Sequence, residues 1–441
     1  MTADLVFGAI ADDDTGASDL AGMLAEQNVR TLLILDLPDS DRFIEWSQGY
    51  EAVVMAERTR NIAPGLAAQR TREALRLLAK REPRVVQIKY CSTFDSTAAG
   101  NIGPTVDAAM NELNEAFIIA LPALPVNGRT TYQGYHFVHE QLLSDSPMRD
   151  HPLTPMTNPN LVDLLTKQTR RRVGLAPYRE VARGTARLKR CFDELREQGV
   201  EIALTDCVDE VQLETICRAV ADMRLITGSS AFGMKLPAIW RERGWVKHDT
   251  DIDDAPVEIG RNVGALVVAG SCSVATRQQN EYLTASGVPA YNVAAVDLME
   301  DVRATKDLIE KVSGRLASGE HCLLTTSGTP DEVNTVQQLG RSKGLNIAEV
   351  GELIAMRLAD LVLEILETQP VRGLVIAGGE TSGAVCRRLD LGAFRVSRNI
   401  EPGVPLCFSL GKFRLPVVLK SGNFGGVDFY AQAIRVISGG K

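Results

Sequence analysis

Short apolar runs alternate with amphipathic stretches along most of the chain, and this rhythm constrains the fold more than any other feature. The runs LVFGAI, TLLILD, AVVMAE and VVQIKY are separated by stretches such as DLAGMLAEQN and RTREALRLLAKR, whose apolar residues recur at helical spacing. The later part repeats the pattern with GALVVAGS, HCLLTTSG and GLVIAGGETSG. Alternating strands and helices are typical of a parallel sheet covered by helices. The predicted fold class is therefore α/β with mostly parallel sheets.

The length of the chain predicts more than one domain. Its 441 residues exceed the ~250–300 residues that a single hydrophobic core usually serves. The best linker is the stretch 246–262, VKHDTDIDDAPVEIGRN, which is acidic and has no periodicity. We therefore predict two α/β domains, an N-terminal one over residues 1–250 and a C-terminal one over residues 260–441.

Charge and composition exclude several functional classes. The formal net charge is −8, which is the wrong sign for a protein that coats nucleic acid or an anionic membrane. The longest apolar run, residues 117–126, is broken by prolines and is far shorter than the ~20 residues of a membrane-spanning helix. The amino terminus lacks the basic and apolar regions of a signal peptide, and the eight cysteines form no CxxC pair. These features favour a cytoplasmic protein with reduced thiols.

Three Gly- and Ser-rich turns in the second half follow strand-like runs and precede helices. They are residues 270–273, 378–383 and 421–426. Such turns let backbone N–H groups approach an anion at a helix N-terminus. A single one is more often a plain turn or helix cap, but three in one domain favour a site for nucleotide phosphates. Neither GxxxxGK[ST] nor GxGxxG occurs, so the common ATPase and dinucleotide templates are not met.

An acidic triplet, Asp12, Asp13 and Asp14, directly follows the first strand-like run. Carboxylates at a strand end orient sugar hydroxyls, accept a proton or hold Mg²⁺ through water. The alternative is helix capping, for which a single aspartate suffices. We expect one of the three to be only a cap, and at least one to have a functional role.

Further polar clusters also follow apolar runs and should lie on one rim of the same sheet. They are Arg58, Thr59 and Arg60; Lys89, Ser92, Thr93, Asp95 and Ser96; and Asn127, Arg129 and Thr130. Together they provide the cationic, hydroxyl-rich pocket that a sugar acid requires. The last cluster opens the stretch 127–160, which is longer than a typical connection and is interpreted as a functional insertion. His136 and His139 in it have no nearby acidic partner, so no zinc site is predicted.

Several motifs together resemble those of the four-carbon acid sugar kinase family, and more narrowly its 3-oxo-tetronate 4-kinase branch. The stretches are IADDDTGASD, KYCSTFDSTAAGNIGP, PALPVNGRTTYQGYHFV, HPLTPMTNPN, AGSCSVATRQQ, AGGETSG, EPGVPL and LKSGNFGG. The resemblance covers nearly the whole chain. It implies an N-terminal domain that binds the sugar acid, a C-terminal domain that binds ATP, and an active site in the cleft between the domains. Two departures concern the substrate: Asp14 replaces a usually apolar residue, and RTRN at residues 58–61 differs from the commoner TRS.

The resemblance also implies site residues. Carried over by motif, the ATP contacts fall on Ser271, Gly378, Gly379, Glu380, Thr381 and Gly422. Apart from the resemblance, phosphoryl transfer needs charge neutralisation, which suits Mg²⁺ and a lysine such as Lys420 near the phosphates. For the acceptor, Arg60, Lys89 and Arg129 are expected to hold the substrate carboxylate, and Ser92, Thr93 and Asp95 to complete the pocket. Asp12 or Asp13 is expected to accept the proton of the acceptor hydroxyl, with Glu380 as the third choice and Asp14 dispensable as a cap.

The expected reaction is ATP-dependent phosphorylation of the 4-hydroxyl of a 3-oxo-tetronate, which gives the 4-phosphate and ADP. Kinases of D-threonate, D-erythronate or 3-oxo-isoapionate are alternatives within the family. A nucleotide-dependent oxidoreductase is disfavoured by the missing GxGxxG, and a non-catalytic ligand sensor by the carboxylates and the three phosphate turns. The expected partners are the sugar acid and ATP, without nucleic acid or membrane; a homo-oligomer remains open.

Overall fold

A computed structural model describes residues 4–151, 153–247, 262–300, 306–326 and 328–439. The chain separates into two compact units, Met1–Ile252 and Asp253–Lys441. Most of the predicted linker, residues 248–261, lies outside the described residues.

The main sheet of the first unit is parallel throughout. The strands of this unit are β1 (Phe7–Ala11), β2 (Thr31–Ile34), β3 (Ala52–Ala56), β4 (Val85–Lys89), β5 (Ile118–Leu121), β6 (Arg129–Tyr132), β7 (Tyr135–Val138), β8 (Gln141–Leu142), β9 (Val173–Ala176), β10 (Ile202–Thr205) and β11 (Leu225–Gly228). Eight of them lie in the order β2, β3, β1, β4, β11, β5, β10, β9, and every neighbouring pair is parallel. The prediction of a mostly parallel α/β sheet is confirmed here.

The register of this sheet brings the strand ends together. Ala11 of β1 pairs with Ala56 of β3 and with Lys89 of β4, and Lys89 pairs with Gly228 of β11. These four residues are the last of their strands. The residues that follow them therefore share one edge of the sheet, where ligands of parallel α/β sheets bind.

Helices connect the strands of the first unit and bury apolar faces against the sheet. They are α1 (Asp14–Glu26), α2 (Ser40–Ser47), α3 (Pro64–Ala79), α4 (Ile102–Leu113), α5 (Leu161–Thr166), α6 (Tyr178–Val181), α7 (Thr185–Glu197), α8 (Glu210–Val220) and α9 (Phe232–Glu242). In α1, Leu20, Ala21 and Leu24 recur at helical spacing and are fully buried. This face fixes the helix that carries the acidic triplet at its N-terminus.

The stretch 127–160 forms a small antiparallel sheet of β6, β7 and β8 with short 3₁₀ turns. Its hairpin turn has positive φ at Gln133 and Gly134, 53° and 77°, which suits a tight two-residue turn. The buried carboxylate of Asp206, which follows β10, accepts hydrogen bonds from the N–H groups of Gln133 and Gly134 (2.7 and 2.9 Å) and of Tyr178 (2.8 Å). The insertion is thus anchored to the carboxyl end of β10.

The second unit has a sheet that is parallel except at one end. Its strands are β12 (Leu266–Ala269), β13 (Ala290–Asn292), β14 (Cys322–Thr325), β15 (Leu374–Ala377), β16 (Ala393–Glu401), β17 (Val404–Ser409) and β18 (Pro416–Lys420). The order is β13, β14, β12, β15, β18, β17, β16, of which the first five are parallel and the last two antiparallel to their neighbours.

Helices again link the strands of the second unit. They are α10 (Val274–Ala285), α11 (Ala295–Met299), α12 (Lys306–Ala317), α13 (Pro330–Ser342), α14 (Ile347–Thr368), α15 (Gly379–Arg388) and α16 (Phe429–Ile437). The core of this unit lies where β12, β15 and β18 pack against α10 and α16. Within the described residues, no helix is both long and apolar enough to cross a membrane. All eight cysteines are free thiols.

Candidate active site

The acidic triplet lies at the end of β1, and its three carboxylates have different partners. Asp13 is the N-cap of α1: its Oδ1 accepts a hydrogen bond of 3.0 Å from the N–H of Gly16. Asp14 instead forms an ion pair with Arg58, whose Nε lies 2.9 Å from Oδ2. The expectation that Asp14 is the dispensable cap is therefore corrected, because the extended backbone of Asp13, and not that of Asp14, precedes the first helical turn.

The guanidinium of Arg60 contacts the carboxylates of Asp12, Asp13 and Asp95. Its Nε and Nη2 donate to the two oxygens of Asp12 at 2.8 and 3.0 Å, and Nη2 also lies 2.9 Å from Asp13 Oδ1. Its Nη1 lies 3.5 Å from Asp95 Oδ2. Arg60 was predicted to hold the substrate carboxylate, but its planar guanidinium is already engaged with aspartates of the protein. In this structure it organises the carboxylates of the site.

The loop that carries Arg60 is fixed by Asn101, which precedes α4. The side-chain amide of Asn101 is 5% exposed, and its Nδ2 lies 2.6, 3.3 and 2.7 Å from the carbonyl oxygens of Thr59, Arg60 and Ile62. Buried polar groups with several partners hold a loop in one conformation. Asn101 therefore positions the guanidinium indirectly, a role that the sequence did not indicate.

Lys89, the last residue of β4, is a buried cation with an available ammonium. Its side chain is 4% exposed, and its Nζ lies 3.7 Å from Asp13 Oδ1. A Cβ atom at Gly16 would lie only 1.6 Å from Lys89 Nζ. Glycine at the start of α1 is thus required for the ammonium to reach the helix N-terminus.

The pKa values of the triplet are moved in different directions. Burial raises the pKa of Asp12, although Arg60 opposes the shift. At Asp13 burial also acts upward, but Arg60 and Lys89 together outweigh it, and the pKa lies below its usual value. Burial raises the pKa of Asp14 to about 6 in spite of Arg58. Asp12 is therefore the better proton acceptor of the first two, and Asp13 stays ionised as a cap and counter-ion.

Asp12, Arg60, Lys89 and Asp95 line one small cleft that opens to solvent. Thr93 supports one wall of it, because its hydroxyl donates a 2.5 Å hydrogen bond to Asp95 Oδ1. The cleft combines two cations with carboxylates at the edge of the sheet where β1, β3 and β4 end. This is the arrangement that the predicted strand ends implied.

Two other predicted substrate residues, Ser92 and Arg129, do not join this network. Neither side chain forms an ion pair or hydrogen bond with the cluster in the described residues. Arg129 donates to the carbonyl of Asn127. It lies close enough to His136 to help lower that residue's pKa to about 4, which is caused mainly by burial. His136 Nδ1 lies 3.0 Å from Thr131 Oγ1, so this histidine packs as a neutral group.

Asp19, on the second turn of α1, was missed by the sequence analysis. Its Oδ2 accepts a 2.5 Å hydrogen bond from Ser230 Oγ, which follows β11. Burial raises the pKa of Asp19, while Lys89 opposes the shift. The signal was present in the sequence, since Asp19 follows Gly16 by three residues and therefore lies on the same face of the helix as that residue.

In the second unit, the three Gly- and Ser-rich turns converge. A Cβ atom at Gly422 would lie 2.3 Å from Ser271 Oγ, and one at Gly378 would lie 3.3 Å from Ser271 N and 3.1 Å from Thr381 Oγ1. Gly378 also has φ of +120°, which favours glycine. The predicted nucleotide residues of the turns after β12, β15 and β18 thus form one cradle with room only for glycine at its walls.

Gly379 and Glu380 open α15 beside this cradle. The carboxylate of Glu380 lies against α14, because a Cβ atom at Gly351 would be 2.7 Å from its Oε2. Backbone N–H groups at this helix N-terminus are suited to phosphate oxygens. The Glu380 side chain therefore turns toward α14, and the helix N-terminus supplies the anion-binding groups.

Lys420, which was predicted to lie near the phosphates, is buried and contacts the turn that follows its own strand. Its side chain is 1% exposed, and its Nζ donates to the carbonyl oxygens of Ser421, Gly422 and Phe424 at 2.9, 3.1 and 3.0 Å. An ammonium has three N–H donors. All three are occupied by carbonyl oxygens of the turn that follows β18.

Comparisons with known proteins agree with this division of the chain. Residues 7–236 match the sugar-binding N-terminal domain, and residues 266–430 match the nucleotide-binding C-terminal domain, of one protein family. A protein of Pseudomonas savastanoi pv. phaseolicola named 3-oxo-tetronate kinase is 39% identical over 98% of both chains. A 3-oxo-tetronate kinase of Haemophilus influenzae is 36% identical over 97% of this chain and 99% of its own.

Solved structures show the same fold. A Salmonella typhimurium LT2 protein superposes with a TM-score of 0.83 at 33% identity and covers 98% of this chain and 99% of its own. A Haemophilus influenzae protein superposes with a TM-score of 0.79 at 34% identity, with 97% and 98% covered. With matches of this extent in both units, the chain is an enzyme of the four-carbon acid sugar kinase family.

Proposed function

We propose that this kinase transfers the terminal phosphoryl group of ATP to the 4-hydroxyl of a 3-oxo-tetronate. The observation that carries the proposal is the cleft at the ends of β1, β3 and β4, where Asp12, Arg60, Lys89 and Asp95 meet. The names of relatives that match the full chain favour this acid over D-threonate, D-erythronate or 3-oxo-isoapionate.

In the proposed step the 4-hydroxyl oxygen forms a bond to the terminal phosphorus of ATP, and the bond from that phosphorus to the bridging oxygen breaks. The hydroxyl proton passes to a carboxylate of the protein, and ADP leaves with the bridging oxygen. Asp12 is the proposed acceptor, because it lines the cleft and burial raises its pKa, whereas Asp13 caps α1 and has a lowered pKa.

Lys89 is the proposed partner of the substrate carboxylate. Among the residues that the structure describes, its ammonium has one counter-ion, Asp13 at 3.7 Å, whereas the guanidinium of Arg60 already binds Asp12 and Asp13 at 2.8 and 2.9 Å. A buried ammonium with free donors gains most from a charged acceptor. Arg129 remains a second proposed cation at the rim formed by the insertion.

The nucleotide is proposed to bind in the second unit at the cradle of Ser271, Gly378, Thr381 and Gly422. A Cβ atom at Gly422 would collide with Ser271. Because glycine has no Cβ, a phosphate can approach the backbone N–H groups of the cradle closely. Mg²⁺ would neutralise phosphate charge in such a transfer. Within the described residues no group of three or more His, Cys, Asp or Glu side chains is arranged for a metal.

The test is ADP release with a panel of four-carbon acids and their 3-oxo derivatives, combined with the variants Asp12→Asn and Asp14→Asn. We expect the 3-oxo-tetronate to be preferred. Asp12→Asn should lower kcat by ~10²–10⁴ because an amide cannot take the proton. Asp14→Asn, whose carboxylate pairs with Arg58, is the matched control and should retain turnover within about threefold. Normal turnover by Asp12→Asn would move the base to Asp13 or Asp19.

A further inference from the structure

In the turn after β18, residues 421–426, most carbonyl groups accept hydrogen bonds from buried or partly buried side chains. The buried Lys420 ammonium binds the carbonyls of Ser421, Gly422 and Phe424 at 2.9–3.1 Å. Among the described residues it has no carboxylate within ion-pair distance, and its Nζ lies 5.9 Å from the centroid of the Tyr430 ring. The positive charge is therefore directed into the turn itself.

Three side chains of α10 and its cap bind the same turn. Ser273 Oγ and Thr276 Oγ1 donate to the carbonyl of Gly422 at 2.7 and 3.0 Å. The Nε2 of Gln279, which is 1% exposed, lies 3.0, 2.9 and 2.9 Å from the carbonyl oxygens of Phe424, Gly425 and Gly426. Together with Lys420 they engage the carbonyl of every turn residue except Asn423.

The planarity of the peptide group determines where the N–H groups of this turn point. The C=O of one residue and the N–H of the next belong to one plane and point in opposite directions in a trans peptide. Because the carbonyls of Ser421 and Gly422 point to Lys420, the N–H groups of Gly422 and Asn423 point away from it. In the part of the chain that the structure describes, neither N–H donates a hydrogen bond to the protein. Two neighbouring backbone N–H groups without a protein acceptor can bind an anion.

We propose that Lys420 is a positioning residue of the nucleotide site, which orients the peptides of Ser421–Asn423 so that their N–H groups face a phosphate of the nucleotide. This inference rests on the proposed function, because the cradle beside Gly422 is the proposed phosphate site. In this proposal Lys420, the last residue of β18, orients the peptides of the turn and does not itself contact the phosphate. Burial lowers the pKa of Lys420 to about 8, and the charge of Glu401 opposes the shift.

The test measures nucleotide binding directly, by titrating the full-length protein with ADP without acceptor. Lys420→Met removes the charge and all three donors with little change in length, and we expect the Kd for ADP to rise at least thirtyfold. Lys412→Met, at an exposed lysine of the same unit that pairs with Glu367, is the control and should leave the Kd within twofold. The KM for the acceptor should change less than threefold in both variants.

A third variant separates positioning from direct contact. Thr276→Val keeps the shape of the side chain and the charge of the site, but removes one of the donors to the Gly422 carbonyl. Positioning predicts a rise of about threefold to tenfold in the ADP Kd, in the same direction as Lys420→Met. An unchanged Kd in Thr276→Val beside a large loss in Lys420→Met would overturn positioning in favour of direct contact.

Two further outcomes are decisive. An unchanged ADP Kd in a folded Lys420→Met variant would overturn this inference and leave the proposed function intact, whereas no ADP binding by the unmodified protein would overturn both. If Lys420→Met does not fold, the unmodified protein is titrated with ADP between pH 7 and 9.5. Affinity should fall as the pH rises through about 8, because Lys420 then loses its proton. The groups that face it are Glu401 and Tyr430, and burial raises the pKa of the Tyr430 phenol. A flat profile would overturn the inference.

Discussion

Replacing Arg60 with methionine should expose how much the first unit depends on one buried cation. The guanidinium is 19% exposed, and its partners Asp12, Asp13 and Asp95 are 13%, 28% and 8% exposed. Arg60→Met keeps the apolar stem but leaves these carboxylates crowded without their shared counter-ion. Removing one partner of a buried ion pair costs ~3–5 kcal/mol. Because water reaches Asp13, we take the lower end, about 3 kcal/mol.

This loss converts to a measurable change in melting temperature. For a domain of this size, 1 kcal/mol shifts Tm by ~2–4 °C, so Arg60→Met should melt about 6–12 °C lower near neutral pH. All three tryptophans, Trp46, Trp240 and Trp245, lie in the first unit. Intrinsic tryptophan fluorescence during heating therefore reports on this unit alone. Arg76→Met, which removes an ion pair between Arg76 and Glu112 with a 65% exposed arginine, is the control and should leave Tm nearly unchanged.

The difference in Tm between the unmodified protein and Arg60→Met should depend on pH. In the native protein, Arg60 and Lys89 hold the pKa of Asp13 below its usual value, so this pairing stabilises the fold above the unfolded pKa and its contribution is lost as the pH falls. Without Arg60, the folded-state pKa values of Asp12 and Asp13 rise, and the variant regains stability by taking up protons in acid. The difference in Tm should therefore shrink between about pH 7.5 and pH 5. A deficit that is the same at both pH values, or no larger than that of Arg76→Met, would refute the electrostatic account.

Three other variants test separate parts of the structure. Gly422→Ala should raise the ATP KM at least tenfold, since its Cβ would lie 2.3 Å from Ser271 Oγ. Gly426→Ala in the same turn is the control: the nearest neighbour of its Cβ lies at 3.3 Å, so the ATP KM should change less than twofold. Equal effects of the two substitutions would reject the proposed phosphate cradle. Asp206→Ala should lower the free energy of unfolding by about 3 kcal/mol in urea titrations, because three backbone N–H groups lose a charged acceptor. A loss below about 1 kcal/mol would show that the insertion does not depend on this anchor.

The fold could be predicted where periodicity and strand ends coincide. The apolar runs before Asp12, Arg58 and Tyr90 are β1, β3 and β4, and their parallel register places the polar residues that follow on one edge. The hairpin of β16 (Ala393–Glu401) and β17 (Val404–Ser409) was missed. Its two strands are antiparallel and separated by a two-residue turn with positive φ at Gly403, so the expected alternation of strand and helix fails there.

For the candidate site, the sequence indicated which residues lie close together, but not which hydrogen bonds and ion pairs each of them forms. Asp13 and Asp14 are adjacent and identical in chemistry, and only the backbone conformation decides that Asp13 caps α1. The partners of Arg60 depend on a loop conformation that Asn101 fixes from a different helix. Such contacts between residues about forty positions apart leave no periodic signal in the sequence.

Two lysines end central strands and precede turns rich in small residues, yet the structure uses them in opposite ways. Lys89 reaches over Gly16 toward Asp13, so its charge is partly balanced by a carboxylate and its donors stay available. Lys420 turns under its own loop, where carbonyl dipoles bind all three donors without neutralising the charge. Dipoles orient a cation but leave the local field positive, whereas carboxylates cancel it. The turn at Lys420 is therefore suited to a highly charged phosphate, and the cluster at Lys89 to a singly charged acid whose hydroxyl end must approach a carboxylate base.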